Sequence, residues 1–403
     1  MSKRLMALEA NQTPELITTQ RKEENKMTRY KINCLFDGES FVENCVVAVE
    51  NGTIVSIQKD SMNYDHLLKG TVTPGFIDTQ VNGGGGVLFN HDQSLSALST
   101  ITTAHQKFGT TSMMPTLITD SLVKMQKAAE AVSSAFSSQL AGIVGIHFEG
   151  PHLSVIKKGI HSEQQIRSIS DRELALFTRN DIGKVMITVA PENVPCDIIK
   201  DLVKQDVIVS LGHSNADIDT VIKAMDAGAT GFTHLFNAMS GLTARSPGMI
   251  AAALHDERMY SGLIADMHHV DPYNCKLAYK AIGTKKLMLV TDAMAHVGSS
   301  IATLPWLDTA IVRHKDKLTT LSGNLAGSCL DMAAAVKNMT QKIGITLPDA
   351  LIMASKTPAE FLKLNNLGSI AVGQKADFIL FNDNLSVEGC WINGTQMFKT
   401  ETV

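Results

Sequence analysis

Four polar residues close four apolar segments of this chain: Glu149 after Gly145-Ile-His-Phe, His213 after Val209-Ser-Leu-Gly, His234 after Gly231-Phe-Thr, and Asp292 after Leu289-Val-Thr. Two carboxylates and two imidazoles are the side chains that hold a hydrolytic metal ion and move a proton beside it. A charge at the end of a buried segment costs several kcal/mol unless it is paired or bound to a metal. Four in succession therefore call for a common reason, and a catalytic metal centre supplies one. A single histidine in such a place is more often a hydrogen-bonded core residue, and a single aspartate is often a helix cap. That bland account fails for three metal-ligand types at successive strand ends.

The segments between these residues show what positions them. Candidate strands run over 72–80, 111–117, 143–149, 185–190, 207–213, 231–234, 261–266 and 287–292. Helical signatures fall between them: Leu95, Leu98 and Ile101 before Gly109, a Ser170-x-x-Glu173 capping box, and Ile218, Val221, Ile222 and Met225 before Gly228. Eight alternating strand and helix units predict an α/β fold, a (β/α)8 TIM barrel, whose active sites lie at the carboxyl ends of the strands. An open doubly wound sheet is the rival, but no G-x-G-x-x-G follows the first strand.

Short strands flank the barrel at both ends of the chain, at 31–36, 45–49 and 53–57 and again at 376–381 and 389–393, with Asn51-Gly52 and Asn393-Gly394 as turn signals. The expected division is a small β-sandwich domain from residues 27–71 and 368–403, a metal-dependent hydrolase barrel over 72–367, and a disordered extension over 1–26. Met27 could be the ancestral start.

With 403 residues and 44% hydrophobic content the chain can bury a large core. A net charge of -4 with interspersed signs excludes a basic stripe for nucleic acid or for a membrane surface. No apolar run approaches the roughly 18 residues that span a bilayer. Six cysteines without a C-x-x-C pair suggest neither a zinc knuckle nor a disulfide framework, and fit a reducing cytoplasm. The methionines and the alanine-rich stretch 332–336 read as core packing. Gly83-Gly-Gly-Gly86 after the first strand reads equally as a close backbone approach to ligand or as a flexible turn.

Thr73-Pro-Gly-Phe-Ile-Asp78 resembles the first barrel strand of the amidohydrolase superfamily. More specific stretches are His147-Phe-Glu-Gly-Pro151, Lys157-Lys-Gly-Ile-His161, Gly212-His-Ser-Asn-Ala216, Thr233-His-Leu-Phe-Asn-Ala-Met239, Asp266-Met-His-His-Val-Asp271, Thr291-Asp-Ala293, Leu325-Ala-Gly-Ser328, and Gly368-Ser-Ile-Ala-Val-Gly373 through Ala376-Asp377. In this order they resemble the N-acetylglucosamine-6-phosphate deacetylases of that superfamily, from about Met27 to the C-terminus.

The resemblance implies that Glu149, His213 and His234 bind one divalent metal per subunit, Zn2+ first, with Fe2+, Mn2+ or Co2+ compatible with the same ligands. Two imidazoles and one carboxylate leave a fourth position for water, as in a catalytic zinc site. Asp292 is then the general base. His161 reaches the substrate carbonyl as the oxyanion develops, and His269 contacts the sugar. Adjacent His268 has no such match and reads as a surface or packing residue. Arg245 and the backbone amides of Asn237 and Ala238 bind the phosphate, with Arg245 acting in its own subunit or in the neighbouring one of a homodimer. Many superfamily members carry His-x-His on the first strand where this chain has Gln80-Val-Asn82, so a second metal would lose two ligands there. His147 shares a face with Glu149 and reads as a buried hydrogen-bonded histidine or as a residue supporting the site. The implied activity is hydrolysis of the N-acetyl amide of N-acetylglucosamine 6-phosphate, a phosphorylated amino sugar. The galacto epimer, another amide, or a catalytically inactive scaffold are the rivals.

Overall fold

In a computed structural model, which describes residues 27–400, eight parallel strands follow one another in chain order around a barrel. They are Phe76–Val81, Thr110–Ile118, Gly145–Glu149, Lys184–Val189, Ile208–Leu211, Gly231–Phe232, Tyr260–Ile264 and Leu287–Val290. Each pairs with the next in parallel register. The last strand returns to the first through a bridge between Val81 and Ala293, with the Asp292 N–H donating to the Gln80 carbonyl at 3.0 Å and the Asn82 N–H to the Ala293 carbonyl at 2.9 Å. This seam brings the ends of the first and eighth strands together, although more than 200 residues separate them in sequence.

The helices lie outside the barrel. Leu95–Gln106 starts at a Ser94 cap that accepts from the Ala97 N–H, and it buries Leu98 and Ile101 while Leu95 faces solvent. Ile218–Asp226 buries Val221 and Met225 and exposes Ile222. Both helices thus carry narrower apolar stripes than their sequences suggest. At the Asp171–Phe177 helix, the Glu173 carboxylate accepts from the Ser170 N–H at 2.9 Å, as the capping-box spacing implies. Met332–Gln341 buries Met332, Ala333, Ala335 and Val336, the packing role read from the alanine-rich stretch.

The first predicted strand is two strands. His66–Pro74 pairs with Phe378–Phe381 in the satellite domain, and Gly75 breaks the run before Phe76–Val81 enters the barrel. A side chain at Gly75 would collide with Thr111, so only a glycine lets the chain pass this close. The satellite strands form one seven-stranded sheet, in the order Thr395–Lys399, Val387–Ile392, Phe378–Phe381, His66–Pro74, Thr28–Phe36, Phe41–Glu50, Thr53–Lys59. The sandwich expected from the sequence is built by this sheet coiling on itself: Ile54 and Trp391, from opposite ends, bury in one core with Ile32, Val47 and Phe378. Residues 1–26, expected as an extension, lie outside the described residues.

A further antiparallel sheet, Thr303–Trp306, Thr309–His314 and Lys317–Thr320, follows the last barrel strand and has no counterpart in the strands read from sequence. It packs on Leu88, Ile118 and Met294 at the mouth of the barrel. Among the described residues no helix is long and apolar enough to cross a membrane.

Candidate metal centre

Glu149 ends its strand, and His213, His234 and Asp292 each sit two residues beyond theirs. The last three adopt positive φ, at 46°, 36° and 52°. Non-glycine residues occupy this region only where the surroundings hold them there, and such sites concentrate at functional centres. The turn aims all three side chains into the barrel mouth.

There Glu149 Oε1 lies 2.9 Å from His234 Nε2 and 3.2 Å from His213 Nε2, and the two Nε2 atoms are 2.9 Å apart. Among the described residues this is the one cluster of three His, Cys, Asp or Glu groups whose ligand atoms lie within 4.8 Å of each other. His213 Nδ1 is 2.8 Å from the Lys157 carbonyl. A carbonyl only accepts, so Nδ1 carries the hydrogen and the Nε2 lone pair faces the cluster, the tautomer a ligating histidine needs. The donor set therefore fits a divalent metal ion. Burial opposes ionisation of Glu149, but the facing imidazoles of His213 and His234 outweigh it and hold the carboxyl well below its ordinary range. The same contact with Glu149 overcomes burial at His234 and raises its imidazole.

Asp292 faces these groups across a cavity of about 200 Å³ that Glu149, His161, His213, His234, Asn237, Ala238 and His269 also line. Burial, then the Glu149 charge, pushes its carboxyl up to about 6. His161 Nδ1 lies 2.8 Å from Thr119 Oγ1 and accepts from the Thr119 N–H at 3.3 Å, which leaves the hydrogen on Nε2. Burial and the neighbouring His213 keep this ring well below the ordinary imidazole range, hence neutral. The roof sheet supports it: Trp306 Nε1 donates to the Ile160 carbonyl at 2.9 Å. His269 donates from Nδ1 to Asp266 Oδ2 at 2.7 Å and presents its other nitrogen.

Other expected residues take different places. Arg245 sits in an exposed turn, closed by Thr243 and Ser246, and does not line the cavity of its own chain. The Asn237 N–H is spent on the His234 carbonyl at 3.0 Å, because the turn after His234 closes on itself, while the Ala238 N–H makes no hydrogen bond among the described residues. His268 pairs with Asp316 at 3.2 Å. His147 lies beneath the site in a buried polar layer, 2.7 Å from Thr188 Oγ1 and 3.3 Å from Thr116 Oγ1, and burial lowers it to about 4. The four glycines 83–86 do not line the cavity: Gly83, Gly85 and Gly86 donate to Ala293, Val297 and Ala295, and a side chain at Gly84 would meet the His105 ring at 2.9 Å. Sequence reasoning missed Thr119, Lys157 and Asp266 as supports, although the last two stand inside motifs it singled out. It missed Trp306 because nothing local marks it.

The chain resembles known proteins along most of its length. The Amidohydrolase family pattern matches residues 71–397. An N-acetylgalactosamine-6-phosphate deacetylase of Shewanella sp. (strain ANA-3) is 46% identical over 370 residues, covering 90% of this chain and 94% of that one. The crystal structure of N-acetylglucosamine-6-phosphate deacetylase from Pasteurella multocida superposes with a TM-score of 0.89 at 35% identity, covering 92% and 99%. A Mycobacterium smegmatis N-acetyl-D-glucosamine-6-phosphate deacetylase mutant, solved with N-acetyl-D-glucosamine-6-phosphate, gives 0.86 at 26% identity, again covering 92% and 99%.

Proposed function

Because the chain belongs to the amidohydrolase family, we propose that it hydrolyses the N-acetyl amide of an N-acetylhexosamine 6-phosphate, releasing acetate and the free amino sugar phosphate. The observation that carries this reading is the convergence of Glu149, His213 and His234 on one point, with Asp292 across the same small cavity. One divalent ion, Zn2+ first among those these ligands suit, would supply Lewis-acid activation of water and of the amide carbonyl when bound there. Asp292, poised near neutrality, takes the proton from the attacking water and passes it to the departing nitrogen, which leaves poorly unless protonated. His161, neutral with its hydrogen on Nε2, donates to the carbonyl oxygen as charge builds there. His269, oriented by Asp266, accepts from a sugar hydroxyl.

The phosphate is held by the free Ala238 N–H and by Arg245. Arg245 lies outside its own cavity, which supports a grip reaching across a homodimer. We assign the protein to the cytoplasm, where phosphorylated sugars are kept. The barrel over 72–367 is the catalytic part, and the coiled terminal sheet from 27–71 and 368–403 is its satellite.

The gluco ester is the substrate read from sequence, and the Pasteurella and Mycobacterium relatives carry that name. The galacto ester is a second reading favoured by one observation, the 46% identity to the Shewanella enzyme. Acetate release from both epimers, each with and without the 6-phosphate, decides between them. Turnover of either phosphate ester is expected, and none on both refutes the proposal. Arg245→Ala is expected to raise KM about tenfold or more for the phosphate ester and to leave the free sugar unchanged.

A further inference from the structure

The two residues that stand where superfamily relatives carry imidazoles do not sit idle. Gln80 and Asn82 are both buried at the end of the first strand. Asn82 Nδ2 donates to Asp292 Oδ1 at 2.6 Å. Gln80 Nε2 lies 3.2 Å from the same oxygen, and 3.3 and 3.2 Å from the two oxygens of Glu149. A carboxamide nitrogen carries two hydrogens, so one group serves both carboxylates. Both amides converge on Oδ1 of Asp292, and Oδ2 makes no hydrogen bond among the described residues, although Asp292 lines the cavity.

Two carboxylates facing one cavity in a poorly solvated site repel each other and prefer to share a proton. A cation between them would remove that conflict. A neutral amide also relieves it, by giving each carboxylate an N–H without adding a charge or a ligand that recruits a second ion. The geometry points to Gln80 and Asn82 as positioning residues for the proposed reaction: an amide clamp that occupies one oxygen of Asp292, presents the other to the cavity, and ties Asp292 to Glu149. The proposal rests on the assignment of Asp292 as the proton carrier and of Glu149 as a metal ligand. It divides the labour of the two amides, since Asn82 touches Asp292 alone while Gln80 touches both carboxylates.

The test replaces each amide by an apolar group of similar shape and reads kinetics and metal affinity separately. Asn82→Leu is expected to lower kcat about 10- to 100-fold, with KM within twofold and the Zn2+ content of wild type. Gln80→Leu is expected to lower kcat and also to weaken Zn2+ about tenfold in competition with a chelating dye. If kcat of Asn82→Leu stays within twofold of wild type, or if its kcat, KM and Zn2+ content all collapse together, the clamp is refuted at Asn82. Unchanged Zn2+ affinity in Gln80→Leu refutes the tie to Glu149. Should Asn82→Leu not fold, the smaller Asn82→Ala, which removes the donor without adding a charge, is expected to lower kcat about 10- to 100-fold at wild-type Zn2+ content; a kcat within twofold of wild type overturns the proposal. A wild-type protein inactive on both epimers would sink the functional reading instead, and the Zn2+ competition with Gln80→Leu would still decide whether that amide supports the metal site.

Discussion

Asp292 shows how much of this site is decided by a single side chain's surroundings. Burial and the facing Glu149 raise its carboxyl to about 6, and the two amides leave it one oxygen for proton transfer. Asp292→Asn keeps the volume but cannot accept and carry a proton, so kcat is expected to fall by about 10² to 10⁴ with metal content unchanged. Steady-state kinetics beside elemental analysis check this, and a variant retaining more than a tenth of the activity would contradict the role. The residue types at these positions were readable along the chain, because a charged or imidazole side chain closing an apolar run is a local signal. The tautomers were not. That His213 offers Nε2 and His161 keeps its hydrogen on Nε2 follows from the Lys157 carbonyl and the Thr119 N–H, partners reached only through tertiary folding.

At the scale of elements, the joint between satellite sheet and barrel is built around Gly75 and Asp377. The Gly75 N–H donates to the Asp377 carbonyl at 3.0 Å, and Asp377 Oδ1 accepts from the Asn393 N–H at 2.7 Å. Burial raises the Asp377 carboxyl to about 6, above its ordinary 3.8. Folding therefore favours the protonated form. The stability gained is full below about pH 4 and is lost as pH rises through 6, a difference of roughly 2 to 3 kcal/mol. Asp377→Asn preserves the acceptor and removes the titration, so its stability relative to wild type is expected to grow from pH 4 to pH 7. Denaturant midpoints at several pH values measure this, and parallel curves would count against it. The period of strands and helices was legible because each element carries its own apolar pattern. The break at Gly75 was not, since 66–81 reads as nearly continuous strand and only the partners, Phe378–Phe381 on one side and Thr110–Ile118 on the other, divide it.

For the whole molecule, the candidate metal ligands come from the third, fifth and sixth strands, so an ion held there would link parts of the barrel that the chain joins only through long connections. An ion that binds only the folded state, at a free concentration about 1,000 times its Kd, adds about 4 kcal/mol to stability. Chelation is expected to lower Tm by several degrees and refilling with Zn2+ to restore it, whereas Glu149→Gln should make Tm much less sensitive to both. Scanning calorimetry tests this, and a wild-type Tm indifferent to chelator would speak against a tightly held ion. Between the third strand and its neighbouring helix, Phe148 and Phe177 are fully buried with ring centroids 5.3 Å apart.

The sequence by itself determined the α/β architecture, the barrel with its strand count, and the inventory of Glu149, His213, His234 and Asp292. These follow from periodicity and residue type, which are written locally. Only the tertiary structure decided that the eighth strand closes on the first, that Gln80 and Asn82 thereby reach Asp292, that one coiled sheet makes the satellite domain, and that the roof strands 303–320 cover the mouth. Each of these depends on which distant segments become neighbours. Local preference carries no record of that, because the free energy that selects it comes from burial and hydrogen bonds formed after the chain has closed.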